Sequence, residues 1–145
     1  MCGIAGVIHR DGATSVGQEM TAMLRSLKHR GPDSTGFAVY GVSTPDEYVM
    51  RLKLAEREDL DKDHHIRKKI RDRQAEVDVL LAELGAETLE VTEPTPYARR
   101  YRLRYPGDTR RLATDIEQIE GAEVLSFGSA LELIKDLGDA TDVSV

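Results

Sequence analysis

The chain has one cysteine, no tryptophan and no asparagine among its 145 residues, with only two phenylalanines and five prolines. One cysteine cannot close an internal disulfide, which excludes a disulfide framework and fits a reducing cytoplasm. No apolar run approaches the ~20 residues of a membrane span, and the N-terminus has neither the basic nor the apolar region of a signal peptide. Positive charge is in deficit as well: 20 Lys and Arg against 26 Asp and Glu leave a formal net charge of −6, which argues against a general nucleic-acid binder. Together these absences predict a cytoplasmic protein with no nucleic-acid and no membrane partner. A single domain of this length buries roughly 70% of its unfolded surface, enough for a core.

The lone cysteine stands at position 2. Removal of Met1 would place a thiol and a free α-amine on one residue. A thiol attacks as its thiolate, and an ordinary cysteine is little ionised near neutrality, so it needs a proton acceptor. An α-amine, with a pKa of about 7.7 to 8, takes a proton and returns it to a leaving group. Cys2 is therefore a candidate nucleophile whose own amine is the general base. The plain reading beside it is a small buried hydrophobe near the chain end. After it, Ile4, Ala5, Val7 and Ile8, spaced by Gly3 and Gly6, predict a strand buried on both faces that holds the terminus at its tip.

His9-Arg10-Asp11-Gly12 reads as a turn. Ser15-Val16-Gly17-Gln18 has the form of a capping box, and Met20, Met23, Leu24 and Leu27 follow at helical spacing until Gly31-Pro32 stops the helix. The two methionines read as core packing, not as a soft ligand face. Phe37 to Val42 predicts a second strand. His9 and His29 read as structural or exposed, since a mechanism using the α-amine already has its base.

Met1-Cys2-Gly3-Ile4-Ala5-Gly6-Val7-Ile8, followed by Leu27-Lys28-His29-Arg30-Gly31-Pro32-Asp33-Ser34-Thr35-Gly36, resembles the class II glutamine amidotransferases, the N-terminal-nucleophile (Ntn) hydrolases. The likeness is nearest to stand-alone glutamate-synthase-type domains and covers residues 1 to about 42. It implies Cys2 as the nucleophile with its α-amine as general base. It also implies a pocket wall for glutamine made by Arg30, Gly31, Asp33 and Ser34, with no cofactor and no metal. The reaction implied is hydrolysis of glutamine to glutamate and ammonia, the ammonia passing to a synthase domain or partner subunit. The fold implied is part of an αββα sandwich.

The chain departs from that family at one point of consequence. Members bind the oxyanion with an Asn-Gly pair and clamp glutamine with a later arginine and aspartate, whereas this chain contains no asparagine and no segment resembling those clamps. Loss of one oxyanion donor costs on the order of a hundred- to a thousandfold in turnover. The expectation is an N-terminal portion of a longer amidotransferase, weak or inactive alone. The alternative is a non-catalytic binding or regulatory module derived from the same fold.

From Ser43-Thr44-Pro45-Asp46 the character changes. Tyr48 to Leu54 predicts a strand. A long charged helix follows from about Arg57 to Leu84, with Ile66, Ile70, Val77, Leu81 and Leu84 on one face. Leu89 and Val91 mark a strand and Pro94 and Pro96 a turn. Tyr97 to Tyr105 is a further strand in which Tyr101, Leu103 and Tyr105 alternate with Arg100, Arg102 and Arg104. Asp108 caps a helix striped by Leu112, Ile116 and Ile119, Gly121 ends it, and Val124 to Phe127 supplies another strand. That order predicts a ferredoxin-like βαββαβ insertion. The expected α+β organisation is thus residues 1–45 as the start of the amidotransferase domain, 46–127 as the insertion, and 128–145 as a truncated return segment. A second capping box, Ser129 to Glu132, predicts a final helix with Leu131, Ile134 and Leu137. His64 and His65, adjacent on a helix, diverge and read as solvated. The arginine stripe, with Arg110 and Arg111 beyond it, reads as the polar outer face of a one-sided sheet, with an anion or partner site as the second reading.

Overall fold

The structure, a computed structural model, describes residues 3–10, 12, 15–30 and 34–143, except the side chains of Arg30 and Asp142. The chain divides into two compact units, Met1–Phe37 with Ile134–Val145, and Ala38–Leu133.

The first unit starts with residues 3–10, which form no strand. Ile4 and Ile8 are 94% and 91% exposed, while Gly3, Ala5, Val7 and His9 are half-buried. The doubly buried strand expected here is thus corrected: the segment alternates, and among the described residues only one of its faces is covered. Helix α1, Val16–Ser26, begins where Ser15 was expected to cap it. The cap chemistry differs, however, because the Ser15 hydroxyl donates to Glu19 Oε1 (2.5 Å) and not to the backbone. A short 3₁₀ turn, Lys28–Arg30, follows. Strand β1 runs Ser34–Tyr40, three residues earlier than predicted.

The second unit holds the core. Strand β2, Glu47–Lys53, buries Met50 and Leu52 completely. The predicted long helix is interrupted: a single turn, α2 (Asp59–Lys62), is separated from α3 (Ile66–Glu83) by extended backbone at Asp63. Asp63 Oδ1 accepts the His65 N–H (2.8 Å) and Oδ2 pairs with Lys69 (2.7 Å), so its carboxylate anchors the restart. Helix α3 buries Ile66, Ile70, Val77 and Leu81, one stripe at helical spacing. Leu84, expected on that stripe, is 37% exposed. Strand β3, Glu87–Thr95, contains Pro94, which the sequence placed in a turn; an edge strand tolerates proline because one row of its N–H groups is unpaired.

Strand β4, Ala98–Arg104, buries Tyr101 and Leu103 on the helix side. Helix α4, Thr109–Ile116, is capped as expected, Asp108 accepting from the N–H groups of Arg110 (2.9 Å) and Arg111 (3.3 Å). Gly121 (φ +82°) turns the chain where a side chain would meet the Arg73 guanidinium, and β5, Glu123–Gly128, follows. The sheet is antiparallel in the order β3-β4-β2-β5, so the chain passes strand, helix, strand, strand, helix, strand. Helices and sheet share one core of Met50, Leu52, Leu54, Val77, Leu81, Leu103, Leu112 and Ile116. Burying each such side chain contributes about 1.5–3 kcal/mol. The Tyr101 hydroxyl donates to Asp78 (2.8 Å), and burial first, then Asp78, pushes its pKa up.

The predicted last helix is a strand. Residues Leu131–Leu137 form β6, which pairs with β1 in a separate two-stranded sheet. Leu131, Ile134 and Leu137 satisfy a helical spacing, but seven residues are too few to distinguish it from a strand, and pairing with β1 decides. A four-residue turn, α5 (Ala140–Val143), buries Ala140 and Val143.

Candidate functional site

The residues that carry the motif chemistry belong to the first unit. Cys2, Gly31 and Asp33, together with the Arg30 side chain, lie outside the described residues. Ser34, the remaining predicted pocket residue, is exposed and opens β1.

Around these positions the described residues bring the two motif segments together. A side chain on Gly3, the residue after Cys2, would lie 3.1 Å from Leu27 Cβ and 3.2 Å from its Cδ1. Glycine allows this close approach, since a Cβ would need Leu27 to give way by a few tenths of an ångström, and the contact joins the opening segment to the residue that begins Leu27-Lys28-His29-Arg30. Downstream, Thr35 Oγ1 donates to the Gly138 carbonyl (2.9 Å), and Lys28 Nζ pairs with Asp139 (2.6 Å). Asp139 also accepts the Thr141 N–H (2.8 Å), which holds the carboxylate in place. Gly36 lies against the Ile134 carbonyl, which an added Cβ would approach to 3.4 Å. The motif is thus pinned at Gly3, Lys28 and Thr35. Sequence reasoning missed the partners Gly138 and Asp139, because no local signal announces contacts across a hundred residues.

His9, Ser15 and Glu19 form a second polar cluster. His9 Nε2 lies 2.7 Å from Glu19 Oε2, and Ser15 Oγ donates to Glu19 Oε1. The Ser15 hydrogen bond, then the one to His9, hold the Glu19 carboxyl below its usual range. The carboxylate stands in the middle of this chain, whereas a nucleophile relay needs the imidazole between hydroxyl and carboxylate. The cluster therefore fastens the opening segment to α1 and does not activate Ser15.

In the second unit the arginine stripe is matched by carboxylates. Arg104 pairs with Glu87 (2.7 Å) and Glu47 (3.0 Å), and Arg102 with Glu90 (3.3 Å) and Glu47 (3.5 Å). Arg100 and Arg51 stand opposite each other in the β2–β4 register, a like-charge pairing that destabilises a sheet. Glu132 resolves it, receiving Arg51 Nε on Oε1 together with Arg100 Nε (2.9 Å), while Arg100 Nη2 reaches Oε2 (3.3 Å). Burial works to raise the Glu132 pKa, but the hydrogen bonds from Arg100 and Arg51 prevail and leave it lowered. The stripe is the polar outer face of a one-sided sheet. Its central carboxylate, Glu132, was read from sequence as part of a helix cap.

Arg99, which faces the helices, is 4% exposed and fully engaged: Nε donates to Gln74 (2.7 Å), Nη1 to the Ala98 carbonyl (2.8 Å), and Nη2 pairs with Glu93 (3.1 Å). His64 and His65 are exposed. Among the described residues no three His, Cys, Asp or Glu gather to hold a metal ion, and no helix is long and apolar enough to cross a membrane.

The chain is similar to two proteins named for glutamine chemistry. A protein of Methanothermobacter thermautotrophicus, provisionally named a glutamine amidotransferase, is 34% identical over 149 aligned positions covering 99% of this chain and 46% of that protein. The glutamine amidotransferase-like protein GlxB of Rhizobium meliloti is 26% identical over 149 positions, covering 99% of this chain and 43% of its own length. The chain thus spans less than half the length of these relatives, although almost all of its own length is aligned. No family model and no solved structure matches it.

Proposed function

We propose that this chain is the N-terminal portion of a glutamine amidotransferase of the class II, N-terminal-nucleophile type. The observation that carries the reading is the similarity along 99% of the chain to the Methanothermobacter protein named as a glutamine amidotransferase, a name that does not specify the class. The opening Met1-Cys2-Gly3 and the Arg30-to-Gly36 motif support the class. So does the contact of Gly3 with Leu27, which draws the two motif segments together.

In this reading Met1 is removed and the Cys2 thiol gives its proton to its own α-amine. The thiolate attacks the side-chain carboxamide carbon of glutamine. The ammonium so formed returns the proton to the departing nitrogen, which leaves as ammonia, and water then hydrolyses the thioester to glutamate. Arg30, Gly31, Asp33 and Ser34 form the wall of the glutamine pocket, and an ammonia-accepting synthase domain or subunit consumes the product. The first unit belongs to an Ntn-hydrolase sandwich, and the second, with its βαββαβ order, is a ferredoxin-like subdomain inserted into it. Because the chain has no asparagine, oxyanion stabilisation falls to backbone N–H groups or to residues of a longer protein.

The test uses a diazoketone analogue of glutamine, with intact-mass and peptide-mass readout. Supporting results are a protein lacking Met1, an adduct confined to Cys2, and loss of the adduct and of glutamate release in Cys2→Ala. Undiminished glutamate release by Cys2→Ala in the complete protein would sink the reading.

A further inference from the structure

We infer that two copies of this chain associate through α3, antiparallel about a twofold axis near Ala75, with Lys68 of each copy against Glu83 of the other. The starting observation is the charge order along this 18-residue helix, which is inverted with respect to its dipole. Arg67, Lys68 and Lys69 stand at the start of α3, and Glu83 stands at its end. Helix macrodipoles favour the opposite distribution, acids first and bases last, so each of these charges opposes the field of its own helix.

An antiparallel second α3 reverses the sign of that opposition. The basic start of one helix then lies beside the acidic end of the other, twice over, as an isologous contact requires. The face that makes the contact is set by helical spacing. Ile66, Ile70, Val77 and Leu81 are committed to the core, so Lys68, Asp72, Ala75, Val79 and Glu83 form the stripe pointing away from the sheet. Its centre suits close approach: Ala75 is small, and Val79 is 57% exposed, an apolar surface that a second helix would cover. Beside it an open groove, floored by Leu80 and Ile119 and edged by Glu76, Asp115 and Glu120, offers more negative charge to the incoming basic half. Within one copy Lys68 pairs, among the described residues, with the exposed Asp72 one turn along at 3.1 Å. A single helix pair falls at or below the ~1,200 Å² of a standard interface, so the association is weak and dependent on concentration.

Sedimentation velocity over a concentration series, at low and raised salt, tests the arrangement on the full chain. A monomer–dimer equilibrium that weakens with salt is expected. Lys68→Glu and Glu83→Lys should each weaken it by roughly tenfold, and the double variant should recover most of the loss, because the exchanged charges meet again across the axis. Each substitution puts a favourable charge at its helix end, while Lys68→Glu also exchanges the Lys68–Asp72 pair for a like-charge one, so circular dichroism is used to verify that each variant keeps its fold. A monomer at every concentration overturns the inference. So does a dimer indifferent to both single variants, or a double variant no better than the singles.

Discussion

The two units divide labour unevenly. The second unit, Ala38–Leu133, contains nearly every buried apolar side chain, whereas the buried hydrophobics described in the first are Ala140 and Val143. The first unit nevertheless carries the motif residues and leaves Ile4 and Ile8 almost fully exposed. The buried core and the motif residues thus belong to different units. The part that would do chemistry is held by a few specific contacts, at Gly3, Lys28 and Thr35, and little by burial. Such a region is expected at the low end of local stability, where binding sites are commonly found.

The contrast is broken most forcefully from the core side. Leu81→Ala, at a fully buried position of α3, should lower the unfolding free energy by about 2–5 kcal/mol in urea denaturation. Leu24→Ala, at a half-buried position of the mostly exposed α1, should cost only about 1 kcal/mol. Equal losses would mean that the first unit is better packed than its exposure indicates. Next comes Glu132→Gln, which leaves Arg51 and Arg100 facing each other and should cost about 1–3 kcal/mol by the same measurement. Because the folded-state pKa of Glu132 is lowered from 4.5, its contribution is complete above that value and is lost as the pH falls below it toward the folded pKa. Wild-type stability should therefore decline more steeply than that of Glu132→Gln in acid, and parallel curves would remove Glu132 from the account.

Smaller effects sharpen the comparison within the second unit. Asp108→Ala deletes the cap of α4 and should cost about 1 kcal/mol, visible as a lowered melting temperature. Arg102→Ala, on the outer face, where the arginine is 43% exposed, should change stability by no more than about 0.5 kcal/mol. A larger loss there would mean that the outer face is a cooperative network.

Much of the second unit was legible because its local signals agree. Along β4, Tyr101, Leu103 and Tyr105 alternate with arginines at the period of a strand. Asp108 stands one residue before a helix, and α3 carries a clear apolar stripe. Legibility failed where two periods coincide or where the cause is distant. Leu131–Leu137 fits both helix and strand, and only its pairing with β1 resolves it. Asp63 breaks the long helix by accepting a nearby N–H, a competition that charge pattern alone does not reveal. Ile4 and Ile8 look like core residues, but burial also depends on what covers them. At the candidate site Cys2 and the motif suggest a chemistry from residue type alone, whereas the anchors at Gly138 and Asp139 depend on the chain's return and carry no local signal.

The outer strand β3 has a consequence of its own. Glu87, Glu90 and Glu93 punctuate it, Pro94 removes one of its donors, and its register with β4 slips twice. A flank so charged and irregular is a poor template for a stranger's strand, so this border of the sheet resists runaway edge-to-edge growth even when the molecule is crowded.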